Sequence, residues 1–447
     1  MSSESDGTNV LVVGAGGREH AYLTALAASP DAGVMHAAPG NAGMAQLATC
    51  HDIAVDDVAG LVKLAKLVHI GLVVVGPEAP LVAGLVDALR AEGIPVLGPT
   101  REAAQLEASK AFCKDLCRRE RIPTAAYRSF NSASEALAYV ALHDRWPSVI
   151  KADGLAAGKG VVIVQDAEAA TLCVRDMMLN ERFGAAGERI VIEDFLEGEE
   201  LSIIALVDGE TVAVLEPSRD HKAAFDGDTG PNTGGMGAFS PTRLLTPRLY
   251  DMVEERVLIP TVHAMAKQGR PFTGFLYAGL MITADGPQVL EFNVRGGDPE
   301  MEVLMPRLES DALGLFLATA TGSLGEHGPV QWRPEHACAV VLADGGYPGS
   351  TTPGAVIDGL DQAAARPDVF VYHAGTERAG RGKVITAGGR VLCVTALGKT
   401  LAQAQERAYA AVRCIDFPGM RCRSDIAWRE LPRPDTAPTD DAEAQAL

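Results

Sequence analysis

The stretch I-K-A-D-G-L-A-A-G-K-G-V, residues 150–161, decides the reading of this chain together with V-L-E-F-N-V-R-G-G-D-P-E, residues 289–300. The first reads as a strand carrying Lys151, then a glycine-rich loop whose backbone N–H groups can drape over phosphates. The second sets Glu291 and Asn293 two apart on a strand, so the pleat turns both side chains to one face. A triphosphate needs cations and amide dipoles on one side and hard oxygen ligands for Mg²⁺ on the other, and the two stretches supply one of each. Lys151 lies between apolar residues and glycines, where an unpaired ammonium is costly unless an anion sits against it. Lys110, taken alone, fits the ordinary fate of a solvated surface lysine.

Working outward, 447 residues with 47% apolar content can bury large cores and suggest about two to four domains. A formal charge of −19 argues against a nucleic-acid or membrane-surface partner, so anionic substrates must meet locally placed cations. The eight cysteines form no C-x-x-C pair and read as reduced core residues. The polar, acidic opening residues 1–9 do not resemble a secretion signal, and no apolar run reaches membrane-spanning length, so a cytoplasmic location is expected.

Residues 9–13 form a β-rich run, followed by G-A-G-G-R-E-H and an apolar-periodic helix over 21–28. Similar short apolar runs at 34–37, 71–75 and 95–97 predict a doubly wound parallel sheet over the first hundred or so residues. A helix over 109–121, with Ser109 as N-cap, opens a second domain. Runs at 190–193, 201–207 and 211–215, joined by tight turns, predict one antiparallel sheet. Residues 216–241 show little periodicity and read as a long functional loop; a helix follows over 249–267. A further α+β unit begins near 331, with strands at 337–342, 369–372 and 390–396 and a helix over 401–414. The acidic, proline-containing tail 431–447 is expected to be disordered.

The G-A-G-G-R-E-H turn invites a dinucleotide reading, but Glu19 stands where that fingerprint wants a small residue. The acid expected at the end of the second strand is also missing. What survives is a glycine turn and helix N-terminus offering N–H groups to an anionic or hydroxyl-rich substrate, with Arg18, Glu19 and Asn41 nearby, against a bare structural turn. Glu78, after the third strand, faces the same sheet edge. V-I-E-D-F-L-E-G-E-E (191–200) can offer an adenine edge a backbone donor and acceptor. The glycine-dense segment 219–241 carries an entropy cost that a passive loop has little reason to bear, and brings Asp220, Lys222, Asn232 and Thr233. No nucleophile elbow, H-E-x-x-H or paired cysteine ligand set is present.

These motifs closely resemble the phosphoribosylamine–glycine ligase family of the ATP-grasp superfamily. The likeness runs from about residue 9 to 429 through G-G-R-E-H, P-G-N-A-G, G-P-E-A-P-L, K-A-D-G-L-A-A-G-K-G, D-G-D-T-G-P-N-T-G-G-M-G-A, T-G-F-L-Y-A-G-L-M and G-G-R-V-L-C-V-T-A-L-G. The resemblance implies an N-terminal substrate domain over 1–108 and an ATP-grasp pair over 109–322, with a small lid subdomain near 124–195. A C-terminal domain over 331–430 completes it. It also implies ATP-dependent joining of glycine to 5-phosphoribosylamine through glycyl phosphate, using Mg²⁺ or Mn²⁺, by a monomer or weak oligomer.

Carried over by motif, Lys110 and Lys151 would hold ATP phosphates, Gly158 would sit in a covering loop (153–160) that closes on nucleotide, and Glu193, Leu196 and Glu200 would bind adenosine. Glu291 and Asn293 would ligate the metal. Arg295, with Lys151 the proposed catalytic pair, would neutralise glycine carboxylate or substrate phosphate. The first-domain crevice of Gly16, Arg18, Glu19, Asn41 and Glu78 would hold phosphoribosylamine, with Asp220, Lys222, Asn232, Thr233, Asp298 and Glu300 also at substrate. The chain departs from the family in D-H-K-A (220–223), where an arginine is usual at 223, and in Val294 and Gly296, where a cysteine and an aromatic residue are common. Other readings are a different ATP-grasp carboxylate–amine ligase and a non-catalytic ATP-binding regulator.

Overall fold

The computed structural model describes residues 7–155, 160–180 and 182–431. Its first unit is a five-stranded parallel sheet in the order Thr49–Cys50, Ala32–Pro39, Thr8–Gly14, Leu72–Val75, Val96–Leu97. Val10–Val13 and Leu72–Val75 are buried throughout, as unbroken apolar runs require of strands covered on both faces. The helix Gly17–Ala27 follows the first strand, so its N-terminus lies at the carboxyl edge of the sheet, where open α/β sheets bind ligands.

Two antiparallel sheets follow. One orders Tyr127–Phe130, Ile190–Asp194, Ser148–Ala152 and Val161–Val164, backed by the helices Ala133–Leu142 and Ala167–Met178 around a core of their own that includes Phe130, Ile150, Val174 and Ile192. The other orders Val212–Val214, Glu199–Asp208, Thr273–Thr283 and Gly286–Asn293. Its core is continuous with the first domain: Leu201, Leu276 and Phe292 share a cluster with Leu11, Val73 and Leu85. The runs expected to form one sheet are therefore split. Ile190–Asp194 pairs with Ser148–Ala152 and Tyr127–Phe130, and the chain crosses to the second sheet within 195–198.

The glycine-rich segment 216–241 is not an irregular loop throughout. Ala223–Phe225 pairs with Thr229–Asn232, and Arg219–Asp220 pairs with Gly237–Ser240. Gly237–Ser240 in turn joins His336–Asp344, Arg390–Gly398 and Val369–His373 in the C-terminal sheet, covered by the helix Leu401–Val412. No helix among the described residues is long and apolar enough to cross a membrane.

Candidate active site

Glu291 sits on the strand Gly286–Asn293, and four cations converge on it. Burial pushes its carboxyl up, but Lys222, Lys110, Lys151 and Arg295 together hold it below the usual carboxylate range. They come from separate elements. Lys110 opens the helix Lys110–Glu120, whose N-cap Ser109 Oγ accepts from Phe112 N at 3.1 Å. Asp153 fastens that helix end to the strand carrying Lys151: its side chain accepts from Ala111 N at 2.6 Å and its carbonyl from Lys110 N at 3.1 Å.

Lys151 is not a free surface lysine. Its Nζ donates to Leu290 O at 2.9 Å and lies 3.0 Å from Glu193 Oε1, while Glu193 Oε2 meets Lys114 Nζ at 2.7 Å. All three side chains are buried. Two ammonium groups share one carboxylate, so positive charge remains for an incoming anion. Glu193 ends the strand Ile190–Asp194 at the crossover; Leu196 is half-buried, and exposed Glu200 pairs with Lys222 Nζ at 2.9 Å.

Arg295 reaches two domains. Its Nε lies 3.3 Å from Glu78 Oε2 at the start of the helix Glu78–Ala83, and its Nη2 lies 3.3 Å from both Glu107 Oε1 and Asn293 Oδ1. Burial works against the guanidinium charge, yet Glu107 and Glu78 hold its pKa above the ordinary value. Glu300 Oε1 accepts from Tyr277 OH at 2.6 Å and Ser202 Oγ at 3.1 Å. Burial lifts the Asp220 carboxyl to about 8 against the pull of Lys222, with Glu300 and Glu200 adding to the rise. Among the described residues no group of three or more His, Cys, Asp or Glu side chains could cage a metal. Glu291 and Asn293 are hard oxygen donors, the kind of partial set that Mg²⁺ uses when phosphate and water supply the rest.

In the first-domain crevice the glycine turn is filled from beneath. Glu19 Oε2 accepts from Gly16 N at 2.6 Å and Oε1 from Arg18 Nε at 2.6 Å. A Cβ on Gly76 would lie 1.9 Å from Glu19 Oε1, so glycine there makes room for this carboxylate. The expectation of a turn with free N–H groups is corrected at Gly16, whose donor is already taken. Arg18 Nη1 donates to Gly296 O at 3.0 Å. Asn41 has no spare capacity facing substrate: its amide donates to Ala15 O and His373 O and accepts from Gly43 N and Met44 N.

Asp298 Oδ1 meets Arg390 Nη1 at 3.0 Å. Thr233 Oγ1 donates to Lys222 O at 2.8 Å and so shapes the loop, whereas Asn232 is exposed. Gly158 lies outside the described residues. Ala223 O accepts from Arg423 Nη1 at 3.2 Å, but Arg423 is matched by Asp228 and Asp425 and does not restore the cation absent at position 223. Sequence reasoning missed Glu107, Lys114, Ser202, Tyr277 and Arg390. Lys114 left a signal as a charge on the helix face that carries Cys113 and Cys117, and Tyr277 and Arg390 lie within the T-G-F-L-Y-A-G-L-M and G-G-R-V-L-C-V-T-A-L-G motifs.

Three family models match the chain in order: phosphoribosylglycinamide synthetase N domain over residues 8–107, its ATP-grasp (A) domain over 108–301 and its C domain over 337–429. The phosphoribosylamine–glycine ligase of Yersinia pestis is 52% identical over 428 residues, covering 95% of this chain and 99% of that protein. That of Pseudomonas aeruginosa is 50% identical over 429 residues, with the same coverage. The crystal structure of the Thermotoga maritima phosphoribosylamine–glycine ligase superposes with a TM-score of 0.82 at 33% identity, covering 94% of this chain and all of that one. A biotin carboxylase domain from Hydrogenobacter thermophilus, at 17% identity and TM-score 0.71, shares the fold.

Proposed function

We propose a division of labour among these side chains from the premise that the chain belongs to the phosphoribosylglycinamide synthetase family, ATP-grasp ligases that join glycine to phosphoribosylamine in purine biosynthesis. Glycine's carboxylate is a poor acyl donor until it takes the γ-phosphoryl group of ATP as glycyl phosphate. The amine nitrogen then forms the C–N bond as the C–O bond to phosphate breaks; phosphate leaves with the electron pair, and the nitrogen gives up one proton to become the amide. Such chemistry asks the protein for positioning and charge neutralisation.

Lys110 and Lys151 take the ATP phosphates, and the crossover through Glu193, Leu196 and Glu200 takes adenosine. Glu291 and Asn293 hold Mg²⁺ or Mn²⁺, which when bound neutralises phosphate charge. Arg295 meets the glycine carboxylate or the ribosyl phosphate, exchanging a Glu78 or Glu107 contact for it. Gly16, Arg18, Glu19 and Glu78 wall the phosphoribosylamine crevice, with Asp298 at its edge; Asp220, Lys222 and Glu300 face the acyl centre. Asn41 and Thr233 serve by shaping backbone, since their hydrogen bonds are spent on it. Domain limits near 108 and 322 and a closing subdomain near 124–195 belong to the same proposal.

The observation that carries this reading is that Lys151 Nζ, held between Glu193 and Leu290 O, and Arg295, held by Glu78, Glu107 and Asn293, bracket the strand that carries Glu291. The test is ADP release by the purified protein given ATP, Mg²⁺, glycine and freshly generated phosphoribosylamine. Release only with all four is expected; turnover without glycine, or with another amino acid in its place, would overturn the assignment.

A further inference from the structure

Glu302 is fully buried on the helix Glu300–Leu304, and apart from its own backbone N–H neither carboxyl oxygen has a hydrogen-bond donor among the described residues. Its polar neighbour within hydrogen-bond reach is the Asp298 carboxyl, an acceptor like itself. Two acceptors bond only when one of them keeps its proton. Asp298 is the better-supported anion, since its Oδ1 pairs with Arg390 Nη1 at 3.0 Å. Glu302 instead faces the glycine turn, 2.5 Å from where a Cβ on Gly17 would stand, and both tyrosines beside it, Tyr22 and Tyr372, are buried. Burial and the Asp298 charge both push its carboxyl well above the carboxylate range.

The segment that carries Asp298 ties the cation ring to the crevice. Asn293 and Arg295 stand at the ring, Gly296 O accepts from both Arg18 and Arg295, and Asp298 Oδ2 lies 3.1 Å from the Cβ position of Gly16. An amine entering from the crevice toward an acyl group at the ring passes this carboxylate.

We infer that Glu302 is a positioning residue, keeping its proton and using it to donate a hydrogen bond to Asp298, so that the Asp298 carboxylate is fixed as acceptor for an N–H of the incoming phosphoribosylamine. This rests on the ligase reading above. Steady-state kinetics on Asp298→Asn, Glu302→Leu and Glu302→Gln, with unfolding temperatures, test it. The first two should lower kcat/KM for phosphoribosylamine by about 50-fold or more while leaving KM for ATP and glycine within about twofold, and Glu302→Gln, which still donates, should recover to within about fivefold of wild type. If Glu302→Leu does not fold, Glu302→Gln against Asp298→Asn decides alone. Wild-type kcat/KM in Asp298→Asn, or a folded Glu302→Gln as impaired as Asp298→Asn, overturns the inference. Failure of the ligase reading is distinguishable, because the wild-type protein would then release no ADP with the complete mixture.

Discussion

Glu291 carries more cationic neighbours than its single charge can match, and that imbalance sets its expected phenotype. Glu291→Gln removes a negative charge from among Lys110, Lys151, Lys222 and Arg295 and takes away the proposed hard metal ligand. Turnover should fall by about 10³-fold or more, as expected when charge neutralisation at a transferring phosphoryl group is lost. ATP binding measured by calorimetry in excess chelator should be retained or tightened, since a negative charge facing the polyphosphate is gone while Lys110 and Lys151 keep theirs. Near-normal turnover would remove Glu291 from the metal site. Lys114 makes the opposite kind of case, because it faces a buried carboxylate with no solvent to replace it. Lys114→Met still leaves Glu193 paired with Lys151, so the cost should be that of one charge-assisted hydrogen bond, about 1.5–3 kcal/mol, and not that of an uncompensated buried charge. A clear drop in unfolding temperature is expected; an unchanged one would mean that Lys151 alone satisfies Glu193.

Among the elements, the junction at Asp153 joins the helix Lys110–Glu120 to the strand Ser148–Ala152, and each carries one of the lysines proposed to hold the ATP phosphates. Asp153→Ala deletes the acceptor for Ala111 N and Ser109 Oγ, a loss of about 1–2 kcal/mol of the kind seen for helix caps. Because Lys110 stands in that first turn, KM for ATP should rise severalfold with KM for glycine unmoved; equal rises in both would point to general loosening. Ser109 as N-cap was legible in the sequence because capping is local, and the buried run Val10–Val13 was legible because a strand covered on both faces is apolar throughout. Pairing at long range was not. Ile190–Asp194 precedes Glu199–Asp208 by four residues, yet its partners lie in Ser148–Ala152 and Tyr127–Phe130, and nothing local distinguishes a hairpin from a crossover. Gly237–Ser240 looked irregular because its partner, His336–Asp344, lies about a hundred residues downstream. At the site, motifs exposed the residues expected to touch ligand. Glu107 and Arg390 act on those residues from behind: Glu107 looks like any carboxylate, and Arg390, though inside the G-G-R-V-L-C-V-T-A-L-G motif, carries no local sign of its distant partner Asp298.

Over the whole molecule, the domains meet through buried histidines that act as hydrogen-bond acceptors. His20 Nδ1, in the first domain, accepts from His373 N of the C-terminal sheet at 2.8 Å, and His221 Nε2, in the glycine-rich segment, accepts from Ala427 N at 3.1 Å. Burial lowers His20 to about 3, with His373 adding to the effect, and lowers His221 to about 4, with Arg423 adding; His373 is likewise lowered by burial to about 4. A base whose folded pKa lies below its unfolded value of about 6.5 stabilises the fold fully above that value and loses the contribution as pH falls through the window down to the folded pKa. Protonating His20 or His221 would also convert an acceptor nitrogen into a donor facing a backbone N–H. Stability should therefore fall steeply between about pH 6.5 and 4, each neutral histidine adding about 1.4 kcal/mol per pH unit within its window. Because these contacts join domains, hydrogen exchange in that range should quicken first around residues 369–376 and 424–428, before the parallel sheet whose core is shared with Leu201 and Phe292. The double variant His20→Gln, His221→Gln keeps an acceptor without a titrating proton, so its unfolding temperature should decline less between pH 7 and 4.5. An equal decline would assign the acid sensitivity to carboxylates such as Asp228 and Asp425, which arginines hold below the usual carboxylate range and which lose their stabilisation at lower pH.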